Sequence, residues 1–338
     1  MTSPRVPDMA NPLSGLASDS HDGLSSPTAL VLPADGREAM SQANTTPHPL
    51  AEWSYEQAFS RNLGLVNPQE QQRLRQCRVA IPGMGGVGGM HLMTLARMGV
   101  GKFRIADADH FEAGNFNRQF GATIGNIGRP KAEVLAESAK GVNPEADLEF
   151  SNEFVTPGNV DHFLDGVDLV VDAVDFFAFE ARRMLFREAA RRGIWMLTAG
   201  PIGFSTAWLA FDPGGMSFDD YFDLRDGMAP VDQFAAFAIG LAPRSTHVPY
   251  FDFSYVDQSG RGPSVAAACG LAAGVVGAEA VKILLHRGHV RAAPCYAQFD
   301  AYRYLLRKGR MPMGNRNPLQ RLKRHVLRKR MLALGYGQ

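Results

Sequence analysis

The chain has 338 residues, of which 45% are hydrophobic and 20% charged, and its formal net charge is +1. These values are typical of a globular protein with a packed core, and they exclude a partner selected by overall charge. The three cysteines lie far apart with no CxxC pair, which excludes a disulfide scaffold and suits a reducing cytoplasm. We find no uncharged apolar stretch of about 18 residues, so no membrane span is predicted.

In chain order, residues 1–50 are rich in Ser, Pro, Gly, Ala and Thr without a sustained period, which predicts a disordered leader. A helix is predicted from about residue 53 to 74. Strand and helix signals then alternate up to residue 200. The predicted strands are VAI, KFRIADAD, DLEFSNEFV, VDLVVDAVD and IWMLTAG. This alternation predicts an α/β fold of Rossmann-like type, with helices on both faces of a mainly parallel sheet.

The pattern changes after residue 200, where GFSTAWLAF and APCYAQFD predict an antiparallel extension of the sheet in the C-terminal half. Between them, residues 264–286 predict a buried helix of small apolar residues. Residues 301–338 contain 11 Lys or Arg and no Asp or Glu, and they predict a basic helical tail. Its apolar stripe favours docking on a partner protomer, with a solvated helix and contact to nucleic acid or a membrane as the alternatives; the stripe consists of Leu319, Leu322, Val326 and Leu327. The predicted organisation is therefore a leader (1–50), one domain (51–300) and a tail (301–338).

The stretch RVAIPGMGGVGG combines a short apolar strand, a glycine turn and the start of a helix. Its glycines are Gly83, Gly85, Gly86 and Gly88. In this arrangement backbone N–H groups and a helix N-terminus face a phosphate. The turn alone does not distinguish NAD, FAD, ATP or S-adenosylmethionine. Asp107, at the end of the second predicted strand, fits a ribose-binding role in any of the nucleotides.

Charged residues downstream favour a triphosphate. Asn115 and Arg118 follow the second strand, Lys131 opens the next helix, and Asp172 and Asp175 end the fourth strand. The added cations would offset charge on the β- and γ-phosphates, and a carboxylate is a suitable ligand for Mg²⁺. A dinucleotide, with two phosphates, needs neither feature. The sequence therefore indicates a site for ATP and Mg²⁺.

Taken together and in order, the spaced elements of residues 61–285 resemble the ubiquitin-activating-enzyme-like adenylyltransferases of the ThiF/MoeB/HesA superfamily. The matching elements are Gly83-Met84-Gly85-Gly86-Val87-Gly88, Ala106-Asp107-Ala108-Asp109, Asn115-Phe116-Asn117-Arg118, Pro130-Lys131 and Asp172-Ala173-Val174-Asp175. The resemblance implies that Asp107 and Asn115 fix the nucleoside and that Asp175 holds Mg²⁺. It implies catalytic roles for Arg118, Lys131 and Arg61, the last reaching the partner protomer's γ-phosphate. A homodimer follows from that role.

The implied reaction activates a carboxylate as an acyl-adenylate and releases pyrophosphate. The family's usual substrate is the C-terminal glycine of a small ubiquitin-like or sulfur-carrier protein, although some relatives act on a peptide or a modified tRNA base. Two departures limit the resemblance. The CxxC pairs of zinc-containing members are missing, so no structural zinc is expected, and residues 230–263 contain no cysteine for a later covalent step. We expect a cytoplasmic enzyme; an NAD- or FAD-dependent oxidoreductase and a non-catalytic nucleotide-binding subunit remain alternatives.

Overall fold

A sheet of eight strands organises the part of the chain that the computed structural model describes, residues 53–256 and 262–335. The predicted leader lies outside these residues. The strands are β1 (Arg78–Pro82), β2 (Lys102–Ala106), β3 (Asp147–Ser151), β4 (Leu169–Asp172), β5 (Trp195–Ile202), β6 (Ser205–Phe211), β7 (Cys295–Asp300) and β8 (Leu305–Arg310). Their spatial order is β3-β2-β1-β4-β5-β6-β7-β8. Strands β1 to β5 are parallel and β6 to β8 antiparallel, which confirms the predicted fold class.

Helices cover both faces of this sheet. They are α1 (Tyr55–Ala58), α2 (Pro68–Gln76), α3 (Gly88–Arg97), α4 (Lys131–Val142), α5 (Val160–Phe163), α6 (Phe179–Arg191), α7 (Phe218–Phe222), α8 (Pro230–Leu241), α9 (Ala266–Leu284) and α10 (Pro318–Ala333). One apolar cluster joins the sheet to α3, α4 and α9, and the other joins it to α6, α7 and α8. The central strands β1, β2 and β4 bury side chains on both sides, as the near-continuous apolar runs of a covered sheet require, whereas the edge strands β3 and β8 are largely exposed.

The parallel order fixes where a ligand can bind. Strands β2, β1 and β4 are neighbours, and they end at Ala106, Pro82 and Asp172. Because neighbouring strands lie about 4.8 Å apart, the loops that follow them meet at one edge of the sheet. The glycine turn, Asp107 and the β4 loop all begin at this carboxyl edge.

Helix α9 is apolar on nearly its whole circumference. By length and composition, with a mean hydropathy of 1.6, it is the one helix among the described residues that could cross a membrane. It packs on β5 and β6, as core helices also do. Three small residues, Ala267, Gly274 and Ala278, nevertheless leave one side of it exposed.

The basic C-terminal segment packs against its own chain, but of the predicted stripe residues it uses Leu327 alone. Leu319, Leu322 and Val326 are exposed, whereas Met331 is fully buried and Leu327 packs on the core. The docked face is set by long-range polar contacts that the stripe does not reveal, including the ion pair between Arg324 and Asp223 at 2.7 Å. Residues 305–310, within the segment predicted to be helical, form β8 at the edge of the sheet.

Candidate functional site

The glycine turn is packed against the loop that follows β4. Gly83 has φ +96°, and a Cβ there would lie 2.2 Å from the carbonyl oxygen of Ala173. A Cβ on Gly88 would lie 1.9 Å from the carbonyl oxygen of Gly83. These distances are impossible for any side chain, so both positions require glycine to close the turn. The predicted strand–turn–helix unit is therefore present, with α3 beginning at Gly88.

Gly85 and Gly86 face a different environment, which carries the polar groups of the site. A Cβ on Gly85 would approach only the Nε2 atom of Gln119, at 3.9 Å. A Cβ on Gly86 would lie 3.6 Å from the Cγ of Arg118 and 3.3 Å from the Sγ of Cys269. These two glycines form the part of the turn that a ligand could approach, and the Arg118 side chain runs alongside it.

Asp107 is held against the turn by backbone donors. Its Oδ2 accepts the N–H of Met84 at 2.6 Å and its Oδ1 accepts the N–H of Asp109 at 2.8 Å. Burial raises the pKa of the Asp107 carboxyl, and these two N–H groups oppose that shift. A carboxylate has about four lone-pair sites, so Asp107 can still accept hydrogen bonds from ribose hydroxyls.

Two cations predicted from the sequence lie beside the turn. Lys131 is buried at the first residue of α4, and its Nζ contacts Asp109 Oδ2 at 2.9 Å. Through Asp109 it is linked to Asp107 and the turn. Arg118 donates to the carbonyl oxygen of Gly114 at 3.0 Å and to Asn117 Oδ1 at 2.9 Å. Arg118 therefore lies beside Gly86, whereas Lys131 is linked to the turn through Asp109 and Asp107.

Asn115 contributes to the shape of the loop that carries Arg118. Its Oδ1 accepts the N–H of Glu112 at 3.0 Å, which caps a short 3₁₀ turn spanning Ala113–Asn115. The amide N–H₂ of Asn115 makes no hydrogen bond to another described residue. The structure thus gives Asn115 a loop-capping contact, and its predicted contact to the nucleoside stays a prediction.

The two carboxylates after β4 have different surroundings. Asp172 is buried, and its Oδ2 pairs with Arg182 Nε at 2.9 Å. Asp175 is exposed, and its Oδ1 accepts the N–H of Phe177 at 3.0 Å in a local turn. Asp175 is therefore the carboxylate of this pair that is accessible to a cation. Among the described residues, no cluster of three or more His, Cys, Asp or Glu could hold a metal by itself.

Arg182 is a residue of this site that the sequence did not reveal. Its guanidinium pairs with Asp172 and donates to the carbonyl oxygens of Val174 and Phe176, on either side of Asp175. It also lies over the ring of Phe237, 4.5 Å from the centroid. The loop that carries Asp175 is thus fixed from α6. No spacing rule connects an arginine in a helix to a loop ten residues before it.

Gln119 is the second such residue. Its side chain is buried, and its Oε1 has no hydrogen-bond partner among the described residues. A buried oxygen without a donor is rare. The Nε2 atom of the same amide is the atom nearest to Gly85, so Gln119 lies at the candidate site. Gln119 follows directly after the Asn115–Arg118 element, so proximity in sequence was the available signal.

Arg61 is not brought to this site within one chain. The neighbouring Asn62 donates to the carbonyl oxygen of Met98, at the C-terminal end of α3. That helix has ten residues, about 15 Å, and its other end begins at Gly88. The prediction that Arg61 serves a partner's site is consistent with this position and stays a prediction.

Cys77 and Cys269 do not have the environment of a nucleophile. Cys269 is fully buried beside Gly86, and burial raises the pKa of its thiol. Burial likewise raises the pKa of Cys77 to about 11. All three are free, and for Cys77 and Cys269 the raised pKa leaves little of the reactive thiolate at neutral pH.

Comparison with known proteins agrees with this geometry. The model of the ThiF family matches residues 59–322. A tRNA threonylcarbamoyladenosine dehydratase of Haemophilus influenzae is 36% identical over 154 residues, 45% of this chain and 58% of that protein. A sulfur carrier protein adenylyltransferase of Thermus thermophilus is 35% identical over 125 residues, 37% of this chain and 45% of that protein. The chain thus spans about half the length of these relatives.

Among solved structures, that of E. coli MccB with ATP has a TM-score of 0.57 at 18% identity. The superposition covers 80% of this chain and 72% of that one. At this level of identity the likeness concerns the fold alone. A similar fold therefore occurs in a protein crystallised with ATP.

Proposed function

This chain belongs to the ThiF family, and from that premise we propose that it is an ATP-dependent adenylyltransferase that activates a carboxylate with release of pyrophosphate. The observation that carries the proposal is the surface around Gly85 and Gly86. Arg118 borders that surface, and the amide nitrogen of Gln119 is the atom nearest to Gly85. ATP fits these residues, because backbone N–H groups and cations bind phosphates and Asp107 can accept from ribose.

Each polar residue has a defined task in the proposed reaction. The glycine turn and α3 N-terminus orient the phosphates, while Arg118 and Lys131 neutralise charge that develops on them. Asp175 would hold Mg²⁺, which supplies Lewis-acid charge to the phosphate oxygens when bound. Attack by a carboxylate oxygen on the α-phosphorus needs alignment more than a protein nucleophile. The buried state of Cys269 is compatible with that requirement.

We propose the C-terminal glycine of a small ubiquitin-like or sulfur-carrier protein as the acceptor, in the cytoplasm. The relatives named above act on a sulfur carrier protein in one case and on tRNA threonylcarbamoyladenosine in the other. Exchange of labelled pyrophosphate into ATP distinguishes these acceptors. We expect exchange with a carrier protein ending in Gly-Gly and none with its C-terminal amide. Exchange that depends on tRNA and ignores the carrier would overturn this choice of acceptor.

We further propose a homodimer built on the exposed side of α9. Contacts of Arg73 and Arg287 join the C-terminal end of α9 to α2 and the adjoining residue Leu65, near Arg61. Its N-terminal end carries Cys269, beside Gly86. The helix has 19 residues, about 28 Å, so antiparallel pairing about a two-fold axis would bring Arg61 towards the partner's glycine turn.

Mixing two inactive variants tests this arrangement. Arg61→Ala and Lys131→Ala subunits, exchanged into mixed dimers, leave one site with both residues only if Arg61 acts across the interface. We then expect about a quarter of wild-type exchange activity from the statistical mixture. If Arg61 acts within its own chain, mixing restores nothing. A monomer by light scattering that still exchanges pyrophosphate would exclude the dimer.

A further inference from the structure

Helix α10 is held firmly to the protein by one face. Met331 is fully buried and Leu327 packs on the core beneath α8. Lys323 donates to the carbonyl oxygen of Pro243 at 2.6 Å, and Arg328 pairs with Asp232 at 2.8 Å. Together with the pair between Arg324 and Asp223, these contacts fix the rotation of the helix about its axis.

That rotation presents an apolar stripe to the outside. Leu319, Leu322 and Val326 are 55%, 59% and 58% exposed. Their i, i+3, i+7 spacing places them within an arc of about 60°, on the side away from Met331. Three large apolar side chains in line on one helix are more than the scattered exposed hydrophobics of an ordinary surface.

Cations border the stripe without acidic partners. Arg321 and Lys329 are exposed and form no ion pair with another described residue, and His325 is exposed between them. The sequence from residue 301 to 338 contains no Asp or Glu. A rigid helix with an outward apolar stripe and flanking cations has the composition of helices that lie in the interface of an anionic bilayer.

We propose that α10 attaches the protein peripherally to an anionic lipid bilayer, with the stripe in the acyl boundary and the cations on the headgroups. Charge complementarity selects this occupant. A second copy of the chain docked here about a two-fold axis would set cations against cations, which is unfavourable. RNA would contact Arg321 and Lys329 but would leave the apolar stripe exposed to water. Adenylation at the glycine turn does not depend on this attachment, because α10 contacts α8 and the Gly314–Arg316 turn instead.

Co-sedimentation of the full chain with vesicles tests the proposal. We expect binding to phosphatidylcholine vesicles that contain phosphatidylglycerol, and binding at least about tenfold weaker to phosphatidylcholine alone. Leu322→Ser with Val326→Ser should reduce partitioning by about tenfold or more, since both side chains leave the acyl boundary. Arg321→Gln with Lys329→Gln should weaken binding and reduce its salt dependence. All four positions are exposed, so the variants should fold.

Phe154→Ser, at a position that is 63% exposed on the loop after β3, is the matched control and should leave vesicle binding unchanged. Three results would overturn the proposal. Equal binding to neutral and anionic vesicles, or none to either, is the first. Unchanged partitioning of the Leu322/Val326 variant is the second. The third is a change in the molecular mass of the homodimer when the stripe is mutated, because this would show that the stripe binds a second copy of the chain.

Discussion

Two adjacent arginines on α6 show how differently the two halves of the molecule are built. Arg182 points towards the parallel half, where it pairs with Asp172 and holds the Asp175 loop. Arg183, also buried, points towards the antiparallel half and pairs with Asp219 at 2.8 Å and Asp226 at 2.7 Å. One residue therefore supports the candidate site, and its neighbour supports the packing of the segment before α8.

The distance along the chain between bonded groups differs in the same way. In the nucleotide half, Asp109 binds Asp107 two residues away and Lys131 22 residues away. In the C-terminal half, Arg324 reaches Asp223 across 101 residues. Function in the first half depends on a few groups at strand ends, whereas stability in the second depends on dispersed ion pairs. Substitutions should therefore separate nucleotide binding from stability.

The largest expected effect is on stability, from Arg182→Met. This variant leaves the fully buried Asp172 without its cation. We expect the free energy of unfolding, measured in urea, to fall by about 3 to 5 kcal/mol. Because the Asp175 loop also loses its anchor, the Mg²⁺ concentration for half-maximal pyrophosphate exchange should rise. Arg183→Met is the matched control: it should lower stability less, since Asp219 keeps Arg187, and leave the Mg²⁺ requirement unchanged. An identical Mg²⁺ requirement in both variants would refute the distinction.

Lys131→Ala and Asp175→Asn should have the opposite effect to Arg182→Met, with a large loss of exchange activity and little loss of stability. We expect each to lower acceptor-dependent pyrophosphate exchange by about a hundredfold, since one charge on the reacting phosphates is worth several kcal/mol. The unfolding free energy of Asp175→Asn should stay close to wild type, because Asp175 is exposed, and Lys131→Ala should lose only the packing of its buried stem, because its partner Asp109 is exposed to water. Lys140→Ala, on the same helix as Lys131 but at its other end, is the control and should retain exchange. Wild-type exchange in Asp175→Asn would show that the metal lies elsewhere.

His91→Leu should change the pH dependence of stability. Burial lowers the pKa of His91 to about 3, and both ring nitrogens lack a partner among the described residues. Since the folded pKa lies below the unfolded value of about 6.5, wild-type stability is lost as pH falls from 6.5 towards 3. The variant should therefore gain about 2 kcal/mol relative to wild type between pH 7.5 and 5. If the unfolding free energies of wild type and variant change with pH in parallel, protonated His91 has a hydrogen-bond partner in the folded protein.

The smallest effect is expected for the cysteines. Cys269→Ala, Cys77→Ala and Cys295→Ala should each retain pyrophosphate exchange, because both the nucleophile and the electrophile come from substrates. Cys269→Ala should lower the free energy of unfolding by about 1 kcal/mol, because it leaves a small cavity beside packed backbone. Loss of exchange in a folded Cys269→Ala variant would instead indicate a covalent step at the glycine turn.

The sequence predicted the fold of the parallel half because its signals are local, and the roles of its residues in nucleotide binding stay predictions. A glycine turn between strand and helix, Asp107 at a strand end and Lys131 at a helix start each depend on a few neighbouring residues. The α/β class and the antiparallel extension were also predictable from strand–helix alternation. Arg182 was not, because its role requires knowing that α6 returns beneath the β4 loop. The docked face of α10 was not either, since partners such as Asp223 lie far away in the chain and override the apolar pattern.

Nucleotide binding tests the central claim most directly, because it needs no knowledge of the acceptor. Isothermal titration of the full chain with ATP in the presence of Mg²⁺ should give saturable binding of one nucleotide per chain. NADH should give none, and Lys131→Ala should weaken ATP binding while remaining folded. Tight binding of NADH, with no heat of binding from Mg²⁺–ATP, would contradict the account and would indicate that the glycine turn binds a dinucleotide.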